Sequence, residues 1–287
     1  MRIVLRLTLV AVLACVSALA PAAAAGAADQ PRVLAVTAGN VDAETAQYAL
    51  ERLHMEARRW QFELVEGEPS DLADLGGFDV VMLLNTSGDI LDAAERESVE
   101  SFVEGGGGLV ATNTAAVTEP DWTWWQEALG ATALEPPVTP AHDEEVSFNA
   151  GNPITEGLDE DLELKESWYF FDPEPSEPES TVLARMESGD PVAWSSEEHR
   201  LFYSAAGGWF DTWGERDFLQ LVRQGIWWAA GETGPMEQFT GDAAPPWPYT
   251  FTFILFVLAV AGGGSIAVWR LDRAEPDAEE AAAAGAV

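Results

Sequence analysis

Three runs in the first half of the chain, "RVLAVTAG" from Arg32, "FDVVMLLN" from Phe78 and "GLVATNT" from Gly108, are apolar at consecutive rather than alternate positions. A strand with one face in water alternates, so a strand that is apolar throughout has to be covered on both faces. The segments between them supply the covers. "DAETAQYALERLHMEARRW" sets Ala46, Ala49, Leu50, Leu53 and Ala57 on one helical face, with Asp42 placed to cap its start. "QFELVEG" reads as a further strand, "SDLADLGG" as a short helix stopped by glycine, and "LDAAERESVESFVEGG" as a helix ended by its glycines. This alternation predicts right-handed crossovers between parallel strands: an α/β fold with a doubly wound, mainly parallel sheet in a three-layer sandwich. After Trp125 the regularity weakens. Pro-rich "LEPPVTP" and "DPEPSEPES" separate the strands "EEVSFN", "STVLARM", "PVAWSS" and "RLFYSAAG", and the amphipathic helix "ERDFLQLVRQGIWWAAG" closes a single domain over residues 29–231.

Both flanks read as targeting or membrane segments. Residues 1–28 carry Arg2 and Arg6, an apolar middle and small residues suited to cleavage near Ala25 or Ala28, the form of a secretory signal peptide. A linker over 232–248 leads to an uninterrupted apolar stretch, 249–269, long enough to cross a bilayer, with Trp247, Tyr249 and Trp269 near its ends. Arg270 and Arg273 follow, which places the tail 270–287 in the cytoplasm and the domain outside, on a single-pass cell-membrane protein.

Charge removes some functions. The chain holds 14 Lys and Arg against 49 Asp and Glu, a formal charge of −35, which argues against nucleic-acid or anionic-membrane partners. The acids are spread through the chain, as on a solvated surface adapted to high salt. Cys15, the only cysteine, lies in the leader, so the domain has no disulfide or thiolate nucleophile.

In a doubly wound sheet the ligand crevice lies at the carboxyl ends of the strands. Gly105 to Gly108 do not form a phosphate loop, because they follow a helix, precede a strand and have no lysine after them; they turn the chain. The turn after that strand, "ATNTA", offers Thr112, Asn113 and Thr114 where related hydrolases place a Cys or Ser. Among three histidines, His142 is the site candidate, beside Asp143, Glu144 and Glu145. No spacing fits a metal centre, and no motif calls for a cofactor. Trp122, Trp124 and Trp125, then Trp168 and Tyr169, then Trp209 and Trp213, each follow a strand-like run. Flat rings with carboxylates such as Asp121 and Glu166 are what a sugar cleft uses.

The order of motifs resembles the ThuA-like (trehalose utilisation) family, within the class I glutamine amidotransferase-like superfamily of flavodoxin-like folds. The resemblance runs from the glycine turn through "ATNTA" and "DWTWW" to "NPITEGL", "KESWYFF", "PVAWSSEEHRLFYSAAGG" and "FLQLVRQGIWWAAG". Asn113, Gly208 and Asn152 stand where the family carries histidines. The resemblance implies carbohydrate-related metabolism, and with the flanking segments it makes the leading reading an outward-facing domain that binds, or processes by hydrolysis or isomerisation, a carbohydrate or similar polyhydroxylated ligand. Glu166, Asp121 and His142 are then the catalytic candidates, and Asn113, Thr114, Trp122, Trp124, Tyr169, Gly208 and Trp209 the binding ones. The lost histidines leave a second reading, a non-catalytic interaction module of a cell-envelope complex.

The acidic surface yields one expectation already. At molar NaCl the screening length falls to about 3 Å, which relieves self-repulsion. The melting temperature of the full-length chain should therefore climb with NaCl into the molar range, and a flat response excludes the high-salt reading.

Overall fold

The computed structural model describes residues 30–39, 42–134, 141–159 and 161–232. These fall within one of two compact units, residues 1–238; the other, 239–287, lies outside the described residues. The leader, most of the linker, the apolar stretch 249–269 and the tail fall outside as well. No helix among the described residues is long and apolar enough to cross a membrane.

The apolar runs become β1 (Arg32–Val36), β3 (Val80–Leu84) and β4 (Gly108–Thr112), and "QFELVEG" becomes β2 (Glu63–Gly67). They are parallel neighbours in the order β2-β1-β3-β4, joined on the far side of β4 by β11 (Leu201–Ser204), also parallel. This is the flavodoxin-like order. Side chains of these strands divide between two cores. Val33, Ala35, Val80, Met82, Leu84 and Val110 pack on one face, and Leu34, Val36, Val81, Leu83, Leu109 and Ala111 on the other.

Helices close both faces. α1 (Ala43–Trp60) is capped by Asp42, whose carboxylate accepts from the Thr45 amide at 2.8 Å, and it buries Ala46, Ala49, Leu53 and Ala57. With α4 (Arg216–Ala229) it covers the first core. α2 (Ala93–Glu104), which starts in a capping box between Asp92 and Glu95, and α3 (Thr123–Leu129) cover the second.

Two features differ from the sequence reading. "SDLADLGG" forms one turn of 3-10 helix, Pro69–Ala73, closed by a capping box between Glu68 and Asp71, because Leu72 is the one residue there with a buried side to fix. The second half of the sheet is antiparallel in its pairing. Beyond β11 come β10 (Pro191–Ser196), β9 (Thr181–Met186), β6 (His142–Phe148) and β7 (Asp161–Glu166), each against its neighbour, with β5 (Ala133–Leu134) and β8 (Phe170–Phe171) as a separate pair. Two reversals between β11 and β9, and two between β9 and β7, leave β7 running in the same sense as the parallel core. The carboxyl end of β7 therefore lies at the same end of the sheet as those of β1, β3, β4 and β11.

The glycine turn does what its order required. Gly106 adopts φ +97°, and the α-carbon of Gly108 lies against the end of α4, where a Cβ would meet the Ala229 carbonyl oxygen at 2.1 Å. Gly108→Ala should push α4 off β4 and destabilise the domain by about 1–3 kcal/mol. Thermal unfolding would show a melting temperature several degrees lower; an unchanged value rules out this packing.

Candidate functional site

At the carboxyl end of the sheet, β3 and β4 each run into an asparagine with positive φ, Asn85 at 53° and Asn113 at 44°. Asparagine tolerates this region because its short amide bonds locally in place of the lost backbone geometry. Both are buried, and both reach toward the segment after β11. Asn85 Nδ2 donates to the Gly207 carbonyl at 2.6 Å, and Asn113 Nδ2 to the Ala205 carbonyl at 2.6 Å. Around them Thr112 Oγ1 donates to Asn85 Oδ1 (2.7 Å), Thr114 Oγ1 to the Asn85 carbonyl (2.6 Å), and the Tyr203 hydroxyl to the Asn113 carbonyl (2.7 Å).

Glu166 ends β7 at this same place and is 0% exposed. Its Oε1 accepts from the Gly207 amide (2.8 Å), the Thr212 hydroxyl (2.7 Å) and, at 3.4 Å, the Trp209 amide. Oε2 is buried without any hydrogen-bond partner. Burial pushes the carboxyl up from 4.5 to about 7, against the hydrogen bonds from Thr212, Gly207, Trp209 and Gly208, which pull it down. Tyr203 is pushed well above its usual value, first by its own burial, then by Tyr169 and Glu166.

The site residues expected from sequence divide into two groups. Asn113, Thr114, Glu166, Gly208 and Trp209 come together. Gly208 lies so close to Asn113 that a Cβ on it would sit 2.4 Å from Asn113 Oδ1, so two positions at which this chain lacks the family's histidines are in direct contact. Trp209 is 37% exposed with Lys165 Nζ 5.2 Å from its ring centre. Tyr169 is buried in the second core near Tyr203. His142 pairs with Glu166 across the β6–β7 ladder, and its Nε2 lies 3.1 Å from Glu144 Oε1.

Asp121, Trp122 and Trp124 are placed elsewhere. Asp121 is exposed. Trp122, 8% exposed, donates through Nε1 to Glu100 of α2 at 2.8 Å and stacks on Trp124 at 5.0 Å, while Trp124 meets His199 edge-on at 5.8 Å. His199 sits in the β10–β11 turn, at the opposite end of β11 from Asn113. These rings close the outside of α2 and α3, because the start of α3 turns its indoles back along the helix layer.

Asn85 closes the run "FDVVMLLN" and so stands where the sequence already expects a crevice, at the carboxyl end of a strand; Glu119 is the residue that sequence reasoning passed over. Glu119 is fully buried with φ 50°; its Oε1 accepts from the Ile90 and Leu91 amides at 2.6 and 2.7 Å, and Oε2 pairs with Arg96. It ties the loop after β3 to the loop after β4. One available signal was an acid directly before Pro120, shortly after the buried strand "GLVAT". Among the described residues no three His, Cys, Asp or Glu side chains converge as a metal site. Open clefts lie away from Asn113: one of about 570 Å³ is lined by Gly105 to Gly107 with Asp74 and Asp79, and one of about 410 Å³ by Thr37, Gln47, Glu51 and Glu66. The carboxylates of the first suit it poorly to phosphate.

The sequence profile of the ThuA family, described as trehalose utilisation, matches residues 32–229. A ThuA-like protein of known crystal structure from Bacteroides uniformis aligns with a TM-score of 0.62 at 22% identity, covering 72% of this chain and 94% of its own. A second, from Parabacteroides merdae, aligns with a TM-score of 0.56 at 14% identity, covering 71% and 91%. At these identities the likeness is one of fold. No curated protein matches the chain.

The raised carboxyl fixes the sign of one pH effect. Between pH 4.5 and about 7 the unfolded chain releases the Glu166 proton while the folded chain keeps it, so this group lowers stability as pH rises through that window. The loss is on the order of 3 kcal/mol, at about 1.4 kcal/mol per pH unit. Glu166→Gln should flatten this leg of a stability–pH curve measured by denaturant unfolding; a mutant curve that keeps the parent's slope rejects the assignment.

Proposed function

Because the chain belongs to the ThuA (trehalose utilisation) family, we propose that its domain binds a carbohydrate or related polyhydroxylated ligand at the carboxyl end of the sheet. The observation that supports this most is Glu166, a buried carboxyl with one oxygen unpartnered, set beside Asn113, Thr114 and the half-exposed ring of Trp209. Such a group, near neutrality in its titration, can accept from or donate to a ligand hydroxyl, and the indole offers an apolar face for a sugar ring. If a reaction is catalysed it is a hydrolysis or isomerisation with Glu166 as the acid/base and with His142, its partner across the β6–β7 ladder, as the second candidate group. Asp121 does not share that role, since it is exposed and its neighbours Trp122 and Trp124 face α2 and the β10–β11 turn.

The same reading places the domain outside the cell on the single apolar span 249–269, with a cleaved leader at residues 1–28. One observation favours the second reading, a non-catalytic envelope module. Asn113 and Gly208 interlock where the family has histidines, so the acid–base pair those would make is absent and its space is filled.

The full-length chain, which should sediment with membranes and resist carbonate extraction, can be screened on a glycan array and by calorimetry. We expect binding that Trp209→Ala weakens at least tenfold and Trp124→Ala leaves intact. Absence of any sugar response, together with co-purifying envelope proteins, would favour the interaction module instead.

A further inference from the structure

The segment from Ala205 to Thr212 leaves β11 and crosses over Asn113 as a strap. It is held at Gly207, whose carbonyl accepts from Asn85 Nδ2 and from Trp213 Nε1 (2.7 Å) and whose amide donates to Glu166. It is held again at Thr212, through the hydroxyl on Glu166 Oε1. Between these points Gly208 presses on the Asn113 amide, and Trp209 and Phe210 stand 37% and 45% exposed, the second stacked on Tyr48 at 4.0 Å. Gly207 sits at φ +109°, a conformation that a residue with a side chain rarely adopts.

We propose that this strap is a gate over the buried polar groups of Asn113, Asn85 and Tyr203, with the carboxyl of Glu166 as its latch. Three of the hydrogen bonds that seat the strap end on a single carboxyl oxygen, and the other oxygen of that group has no partner in the closed form. Lifting the strap breaks those bonds and admits water to both oxygens. The closed gate thus favours the neutral carboxyl and the open gate the ionised one, so rising pH opens it, over the interval from 4.5 to about 7.

The groups that face Glu166 support this assignment. Tyr203 on β11 and Tyr169 after β7 are buried phenols, and burial pushes Tyr203 well above its usual value. Lys165, the neighbour of Glu166 on β7, lies over Trp209, and Asp211 in the strap is exposed. His142, opposite on β6, is the histidine paired with Glu166 in the strand ladder, and it serves as the control. The gate does not depend on which ligand the crevice takes, so it stands or falls apart from the carbohydrate reading.

Hydrogen–deuterium exchange of peptides spanning 205–212, on the full-length chain in detergent and corrected for intrinsic rates, tests it. Protection of the strap should fall at least about tenfold from pH 5 to pH 8. Glu166→Gln should hold protection constant, and His142→Asn should behave as the parent. Gly208→Ala should deprotect the strap at both pH values, because its Cβ meets Asn113. Strap protection that is independent of pH, a pH response removed by His142→Asn, or a Gly208→Ala chain as protected as the parent would each overturn the gate. If Glu166→Gln fails to fold, the pH response of the parent and of His142→Asn still decides.

Discussion

A carboxyl shut away from solvent has to be satisfied by whatever the fold can bring, and at Glu166 the fold brings backbone and one hydroxyl. The amides of Gly207 and Trp209 and the hydroxyl of Thr212 converge on one of its oxygens. Since Gly207 also receives Asn85 and Trp213 on its carbonyl, the ends of β3, β7 and β11 and the 3-10 turn Asp211–Gly214 are joined through one peptide. The carboxyl end of the sheet is held by this network, while its amino end is held by apolar packing such as the approach of α4 to Gly108. The difference matters for function. A polar network with an unmatched member can be reorganised by a proton or a ligand, whereas close-packed apolar contact resists both.

Asn113 and Gly208 illustrate how substitutions at such a site come in sets. With Asn113 in its left-handed turn and its amide fixed on the Ala205 carbonyl, there is no room for any side chain at position 208. The pair as found packs shut the turn after β4, whose backbone takes the positive φ of 44° at Asn113. The ion pair of Arg96 with Glu119 supports the same end from the other side, by fixing the loop after β3 to the loop after β4. Membership of the ThuA family gives the domain a carbohydrate-related setting.

The parallel half of the sheet was legible because each of its strands carries its own evidence. A strand buried on both faces shows it in consecutive apolar residues, and α1 and α2 show their caps and buried stripes within a dozen residues or so. The antiparallel half was legible as strands but not as an arrangement, since the pairing of β6 with both β7 and β9 spans some forty residues and is set by which edges remain open. The surroundings of the tryptophans were illegible for a related reason. Trp122, Trp124 and Trp209 all follow strands, but nothing local distinguishes a ring that folds back on α2 from one that lies under Lys165 on the segment after β11.

By itself, then, the sequence determined the α/β layering, the capped helices, the glycine turn after α2 and the Asn113 turn after β4. Each depends on the conformational preference or burial of residues within one turn or strand. Only the tertiary structure decided that Glu166 is buried, that Gly208 rests on Asn113, and that Glu119 ties the loop after β3 to the loop after β4. A side chain's solvent exposure and hydrogen-bond partners come from segments tens of residues away, and no spacing along the chain encodes them.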